Sequence, residues 1–333
     1  MTSRIFINQP TVIDHSYIDK DGLIIGGSIN PSFVLSGEPT ADESVVCDFS
    51  TAKSQIKKLI DHNDFGFDHK CWIIGGLSSI TSITASSLEF NPNEVNDQTT
   101  WDWLISDADP ERTITVSTPN VVITGPKNSF CFFKAEDNTK NVYDAAIAAI
   151  QKMLNERIVG IDIEVVYKAN LVTCEDNSST ILFHYVHGLK NSSAWGCQNI
   201  AHGHTSFIEF IFDEQKNNPF EVANTDGAQD ESLLRSIQLD LDHTIFISAD
   251  NLLEVTAGES TSDIITYTSN DRGRFSMSFP RGSTHKTVVL ETETTIEYIV
   301  EYIAANYETE LRTLRVKTIH VSEGLDKGAS INL

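Results

Sequence analysis

Apolar residues along this chain recur with two periods, and the two follow one another in the same order twice. Near the middle, Val142, Ala145, Ala146, Ala149, Ile150 and Met153 repeat at spacings of three and four, which gathers them on one face of a helix. Ile161, Ile163 and Val165 then alternate with Asp162 and Glu164, the pattern of a strand with one wet face. Near the end, Ile296, Ile299, Ile303 and Tyr307 renew the helical stripe, and a β-rich run over 314–321 renews the strand. A helix-then-strand unit therefore closes each half. A second pair of segments matches as well. A helical pattern from Phe49 runs into Phe67-Asp68-His69, and one from Glu231 runs into Leu241-Asp242-His243. Such internal similarity predicts a duplicated α+β unit. The chain turns polar near 167–177, which divides it into 1–170 and 171–333. Two polar stretches interrupt the pattern. One, at about 77–115, contains Trp101 and Trp103, and a loop of that length generally serves function or assembly. The other lies between a strand and a helix of the second half.

Composition narrows the function. A length of 333 residues accommodates two domains at roughly 150 each, large enough to fold without disulfides. With 24 Lys+Arg against 47 Asp+Glu, the net charge of -23 argues against broad nucleic-acid binding and against anionic membranes. There is no apolar run suited to a signal peptide or a membrane span. The five cysteines are widely spaced and form no Cys-x-x-Cys pair, so they read as reduced thiols of a cytoplasmic protein.

The histidines carry the chemistry. Seven of the ten lie beyond residue 180. In the strand-like segment from Ala201, His202 and His204 project to the same side, with Gly203 removing bulk between them. The preceding strand carries His184 and His187, and an antiparallel pairing brings one of these opposite the pair. Their odd spacing puts them on opposite faces, and geometry alone does not choose. Three imidazoles with an open position make a catalytic zinc site, although other divalent transition metals suit the same donors. Cys197, five residues before His202, is the thiol best placed to act as base or nucleophile. Asp242-His243 pairs a carboxylate with an imidazole and is a candidate acid/base relay.

On these residues the chain resembles, over about 178–333, the 6-pyruvoyl-tetrahydropterin synthase and 6-carboxytetrahydropterin synthase family. Phe183, His187 and Leu189 match its Phe-x-x-x-His-x-Leu strand, which selects His187 as the first ligand. His202-Gly203-His204 matches its His-Gly-His, Cys197 its catalytic cysteine, Leu241-Asp242-His243 its Leu-Asp-His, Thr295-Ile296-Glu297 its Thr-x-Glu, and Glu323 its pterin-gripping glutamate. Val46-Cys47-Asp48-Phe49 and Asp68-His69 resemble the corresponding elements in the first half, and His15 lies in the region of the first ligand. No His-Gly-His exists there, so the first half reads as a degenerate, structural or site-completing copy.

The resemblance implies the tunnelling fold: an antiparallel sheet with two helices on one face, joined into barrels by oligomerisation, with sites between neighbours. It further implies zinc held by His187, His202 and His204, and Cys197, Asp242 and His243 as catalytic groups. Glu323, Thr295 and Glu297 would bind the pterin of 7,8-dihydroneopterin triphosphate. Of the family's two reactions, the carboxy-forming one, on the route to queuosine, is the expectation. The pyruvoyl-forming reaction, or another pterin or purine enzyme of the same fold, is the alternative. A triphosphate requires a basic cluster in so acidic a protein, for which Lys317, Arg315 and Lys327 are candidates. A reading of a different class is a non-catalytic scaffold. It is favoured by a cysteine one residue further than usual from His-Gly-His, and by the missing Pro and Asn around Thr-x-Glu.

Overall fold

The computed structural model describes residues 3–39, 44–85, 88–90, 104, 109–134, 141–167, 179–212, 226–253, 262–269, 271–280, 285–325 and 327–333. Trp101, Trp103 and most of the expected 167–177 boundary lie outside them. The first half runs β1 (Ser3–Ile7), β2 (Ile13–Ile18), β3 (Ile24–Ile29), β4 (Ser32–Gly37), α1 (Phe49–Ile60), β5 (Lys70–Ile74), β6 (Ser82–Ala85), β7 (Leu88–Phe90), β8 (Thr113–Ser117), β9 (Val122–Pro126), β10 (Phe130–Phe133), α2 (Val142–Arg157) and β11 (Asp162–Val166). The second half runs β12 (Thr180–His187), β13 (His202–Phe212), α3 (Asp226–Leu241), β14 (Thr244–Ser248), β15 (Leu252–Leu253), β16 (Ser262–Ser269), β17 (Gly273–Pro280), β18 (Lys286–Leu290), α4 (Ile296–Asn306), α5 (Glu308–Thr313), β19 (Val316–Ser322) and β20 (Gly328–Asn332).

The predicted helices form for local reasons. Asp48 caps α1 by accepting from the Thr51 amide at 2.7 Å, and Asn141 caps α2 by accepting from the Asp144 amide at 3.0 Å. The α2 stripe is buried at Val142, Ala145, Ala146 and Ile150, against Ile13, Phe33 and Trp72 of its sheet. In the second half Leu234, Ile237 and Leu241 of α3 and Ile299 and Ile303 of α4 pack on Phe183, Ile208 and Phe246.

Among the described residues the sheets repeat one another in every strand but β20. The second half has the order β18-β14-β12-β13-β19-β20. The first half has β10-β5-β2-β3 and β1-β4-β11. There β1 and β2 are successive pieces of one strand track. So are β3 and β4, parted at Asn30-Pro31, where proline has no N–H for the ladder. The senses also agree. β5 lies parallel to β2 as β14 does to β12, and β11 lies antiparallel to β4 as β19 does to β13. The expected antiparallel sheet is thus mixed. A crossover through α1 or α3 returns the next strand beside the first in parallel sense.

The polar stretch of the first half does more than loop out. β6 to β9 join β15 to β17 in one seven-stranded sheet, β15-β16-β17-β9-β8-β6-β7. Its seam between halves pairs Ser276 with Thr124 and Met277 with Ile123. Ile83, Val116, Ile123, Met277 and Phe279 bury a further core beneath it. No helix among the described residues is long and apolar enough to cross a membrane.

The β2–β3 and β12–β13 hairpins meet through glycines. A Cβ on Gly26 would lie 1.9 Å from the Tyr185 carbonyl oxygen and 2.8 Å from the His204 nitrogen. Beside this contact Ser28 and Thr205 exchange bonds, each amide donating to the other's hydroxyl at 3.1 Å. The halves therefore face each other about an approximate two-fold. Gly26→Ala must push main chain against main chain, so a loss of about 3 kcal/mol or more is expected. Urea unfolding of the variant, read against Gly37→Ala on the rim, checks this.

Candidate active site

β12 and β13 bring the three histidines together. The pairing sets His187 opposite His202, with Gly203 opposite Val186 and His204 opposite Tyr185. All three rings are buried, and their nitrogens form one group within 4.8 Å. His187 Nδ1 bonds the Thr294 carbonyl at 2.7 Å, and His202 Nδ1 bonds the Asn199 carbonyl at 2.8 Å. A carbonyl only accepts, so both Nδ1 atoms carry the proton and both Nε2 atoms offer bare lone pairs. His202 Nε2 has no partner, and His187 Nε2 lies 3.0 Å from His204 Nε2. Buried lone pairs converging in this way suit a divalent metal, since zinc ligands in a tetrahedron sit ~3.3 Å apart. The donor set fits zinc and equally the other metals that accept imidazole.

Electrostatics agree with neutral ligands. Burial pushes His187 down to about 3 and holds His202 well below its ordinary range, helped by the neighbouring imidazoles. His15 is likewise held down to about 4 by burial. A depressed base contributes stability that is complete above its unfolded value near 6.5 and is lost as pH falls toward the folded value. The metal-free chain is therefore expected to lose about 2 kcal/mol per such histidine by pH 5. His69, which is raised, acts above 6.5 and does not cancel the loss. Urea midpoints unchanged between pH 7 and pH 5 would contradict this.

The first half supplies the rest of the site. Cys197 lies against the His69 ring, and Cys197, His69 and His202 form a second group within 4.8 Å. His69 Nδ1 is 2.6 Å from Asp68 Oδ2. Burial alone would lower this imidazole, but Asp68 and Cys197 raise it well above its ordinary value. Asp14, from β2, places Oδ1 3.2 Å from His204 Nδ1. On the far side, Glu323 follows β19. Its carboxyl would rise through burial, but His204, His187 and Lys327 hold it below its usual range. A cleft of about 270 Å³ opens here, lined by Asp14, Lys57, Asp68, His69, Glu323 and Lys327.

Other sequence expectations fall elsewhere. Asp242 and His243 do not join the triad. Asp242 bonds the His184 amide and ring, both at 2.9 Å, and lies 3.5 Å from His243. The reason is parity: Asp242 lies on the face of β12 that carries His184, and His184 and His187 face opposite ways. Thr295 caps α4 and Glu297 is exposed on its first turn, while the adjacent Thr294 carbonyl does the anchoring. His15 is not a ligand counterpart. It stacks on Trp72 at 3.7 Å, and the pairings His15–Lys70 and Tyr185–Thr244 place Tyr17 where the second half has His187. Of the basic candidates only Lys327 lines the cleft. Arg315 and Lys317 sit at the opposite end of β19, about 20 Å along the strand. Sequence reasoning gave Asp14 no role. The Asp68-His69 repeat of Asp242-His243 was the available signal for the relay.

Comparison with known proteins gives one family. A model of "6-pyruvoyl tetrahydropterin synthase" matches residues 178–332. No curated protein matches. Among solved structures, a catalytic-residue mutant of Plasmodium vivax 6-pyruvoyltetrahydropterin synthase is similar at 13% identity, covering 50% of this chain and 91% of its own, with a TM-score of 0.31. Another structure of the Plasmodium vivax enzyme gives 18% identity, 47% and 93% coverage, and a TM-score of 0.30. An uncharacterized protein of Wolinella succinogenes gives 15%, 46% and 94%, and 0.30.

Proposed function

We propose that this chain, whose residues 178–332 match the 6-pyruvoyl tetrahydropterin synthase model, is a zinc-dependent lyase acting on the side chain of 7,8-dihydroneopterin triphosphate. We take the carboxy-forming reaction, on the route to queuosine, as the product assignment. One observation carries the reading: three buried imidazoles with converging Nε2 atoms adjoin a thiol–imidazole–carboxylate series. Bound at His187, His202 and His204, the metal would polarise side-chain oxygens and ease removal of the adjacent proton. Glu323, an ionised acceptor, suits the amide and amine donors of a pterin edge. Cys197 takes the proton from the side-chain carbon, and His69, oriented by Asp68, holds and returns it. Lys327 and Lys57 are the cations of the cleft and the groups suited to phosphate oxygens. In this reading the first half is a site-completing copy, with the division near residue 170.

The test is incubation of the zinc-loaded chain with dihydroneopterin triphosphate. The expected products are a 6-carboxy tetrahydropterin, acetaldehyde and free triphosphate. A 6-pyruvoyl product, with triphosphate released but no acetaldehyde, would select the alternative reaction. No turnover, with zinc bound, would leave an enzyme for a different pterin or purine, or a scaffold.

A further inference from the structure

Asp14 is a buried carboxylate, with 4% of its side chain exposed, on a half of the molecule that holds none of the three histidine ligands. An ionised carboxylate in such a place is costly unless charge and hydrogen bonds offset it. The offsets come from both halves. From its own half, the Ser28 hydroxyl donates to Oδ1 at 2.5 Å. From the other half come His204 Nδ1 at 3.2 Å and Lys327 Nζ at 3.7 Å. The close approach is also built into the main chain: a Cβ on Gly324 would lie 2.6 Å from Oδ1, and its φ of +71 favours glycine.

 The pairings that align Tyr17 with His187 also align Asp14 with His184 and Gly27 with His204. Both aligned amides donate to the aspartate of the Asp-His pair at 2.9 Å, Asp14 to Asp68 and His184 to Asp242. One position of the repeat therefore carries a carboxylate that reaches the histidine triad. Its counterpart carries His184, in the half whose opposite number has Tyr17, Ile25 and Gly27 in place of the triad.

On the reading that the triad holds a metal, we propose that Asp14 is a positioning residue for that centre, supplied by one half to a ligand of the other. His187 and His202 are each anchored by a main-chain carbonyl. His204 has no such anchor, and its Nδ1 contact with Asp14 is close but oblique to the ring N–H. A carboxylate at that distance favours the tautomer with the proton on Nδ1, which leaves Nε2 bare, and it places a negative charge behind a ligand of a dication. Losing a partner of this kind typically weakens metal binding about 10- to 100-fold.

The experiment measures zinc affinity by competition with a chromogenic chelator, and the visible spectrum of the cobalt-loaded full chain. Asp14→Ala is expected to weaken zinc binding by about 10- to 100-fold and to alter the cobalt bands. Asp14→Asn keeps an acceptor without the charge and should fall between Asp14→Ala and the parent. Ser28→Ala, which frees the carboxylate without removing it, gives a smaller loss in the same direction and covers the case in which Asp14→Ala does not fold. His184→Ala should leave affinity unchanged. If the parent binds zinc and His202→Ala loses it, but the Asp14 and Ser28 variants all bind within twofold of the parent, the proposal is overturned and the metal reading stands. If the parent binds no zinc, both fall.

Discussion

Replacing His202 with alanine is expected to leave a folded chain that retains zinc at least a hundredfold less well and shows no turnover. The His202 imidazole is wholly buried, its Nδ1 is committed to the Asn199 carbonyl, and its Nε2 has no protein partner. Removing the ring leaves a cavity and strands the Asn199 carbonyl, but it also removes a buried lone pair without a partner, so the metal-free variant should stay folded with a melting temperature lowered by only a few degrees near neutral pH. Below pH 6.5 the variant should lose stability less steeply than the parent, because one suppressed protonation is gone. Zinc content by elemental analysis and melting at pH 7 and pH 5 check the three parts together. Full zinc retention would remove the triad as the metal centre. A collapse of the metal-free fold would make His202 a core residue in the ordinary sense.

The histidine triad was legible in the sequence because its geometry is local. His-x-His on a strand needs only the two-residue period, and His187 lies on the neighbouring strand, across the 188–201 connection. The helices were legible for the same reason, through their stripes and caps. What crosses between the halves was hidden. Nothing in a one-dimensional pattern says that Gly26 meets Gly203, and that contact decides which Asp-His pair faces Cys197. The polar stretch of the first half likewise looked like an insertion, because the strand that completes its sheet lies in the other half. His15 misled because nearness in sequence was read without register. Two positions along β2 separate it from Tyr17, the residue aligned with the first ligand.

His69→Ala is expected to lower turnover by about 10²–10⁴, the range general acid–base groups contribute, with zinc content unchanged. His243→Ala should stay within about threefold of the parent, since it removes no group that this reading assigns to proton transfer. The contrast is sharp because the two residues are so alike locally. Each follows an aspartate at the end of a helix-to-strand turn, and each has a left-handed backbone, with φ of 53 at His69 and 61 at His243. Their environments separate them. His69 is shut in with Cys197 and the triad, whereas His243 has 43% of its side chain exposed and stands beside His184. Asp68→Asn should follow His69→Ala in direction, because Asp68 Oδ2 holds Nδ1 at 2.6 Å and leaves Nε2 as the atom that exchanges the proton. Steady-state rates of the three variants, with zinc measured in each sample, decide the matter. Loss of turnover in His243→Ala with His69→Ala active would assign the relay to the second copy, acting on a site of another chain, and the first half would then be a scaffold for the metal centre alone.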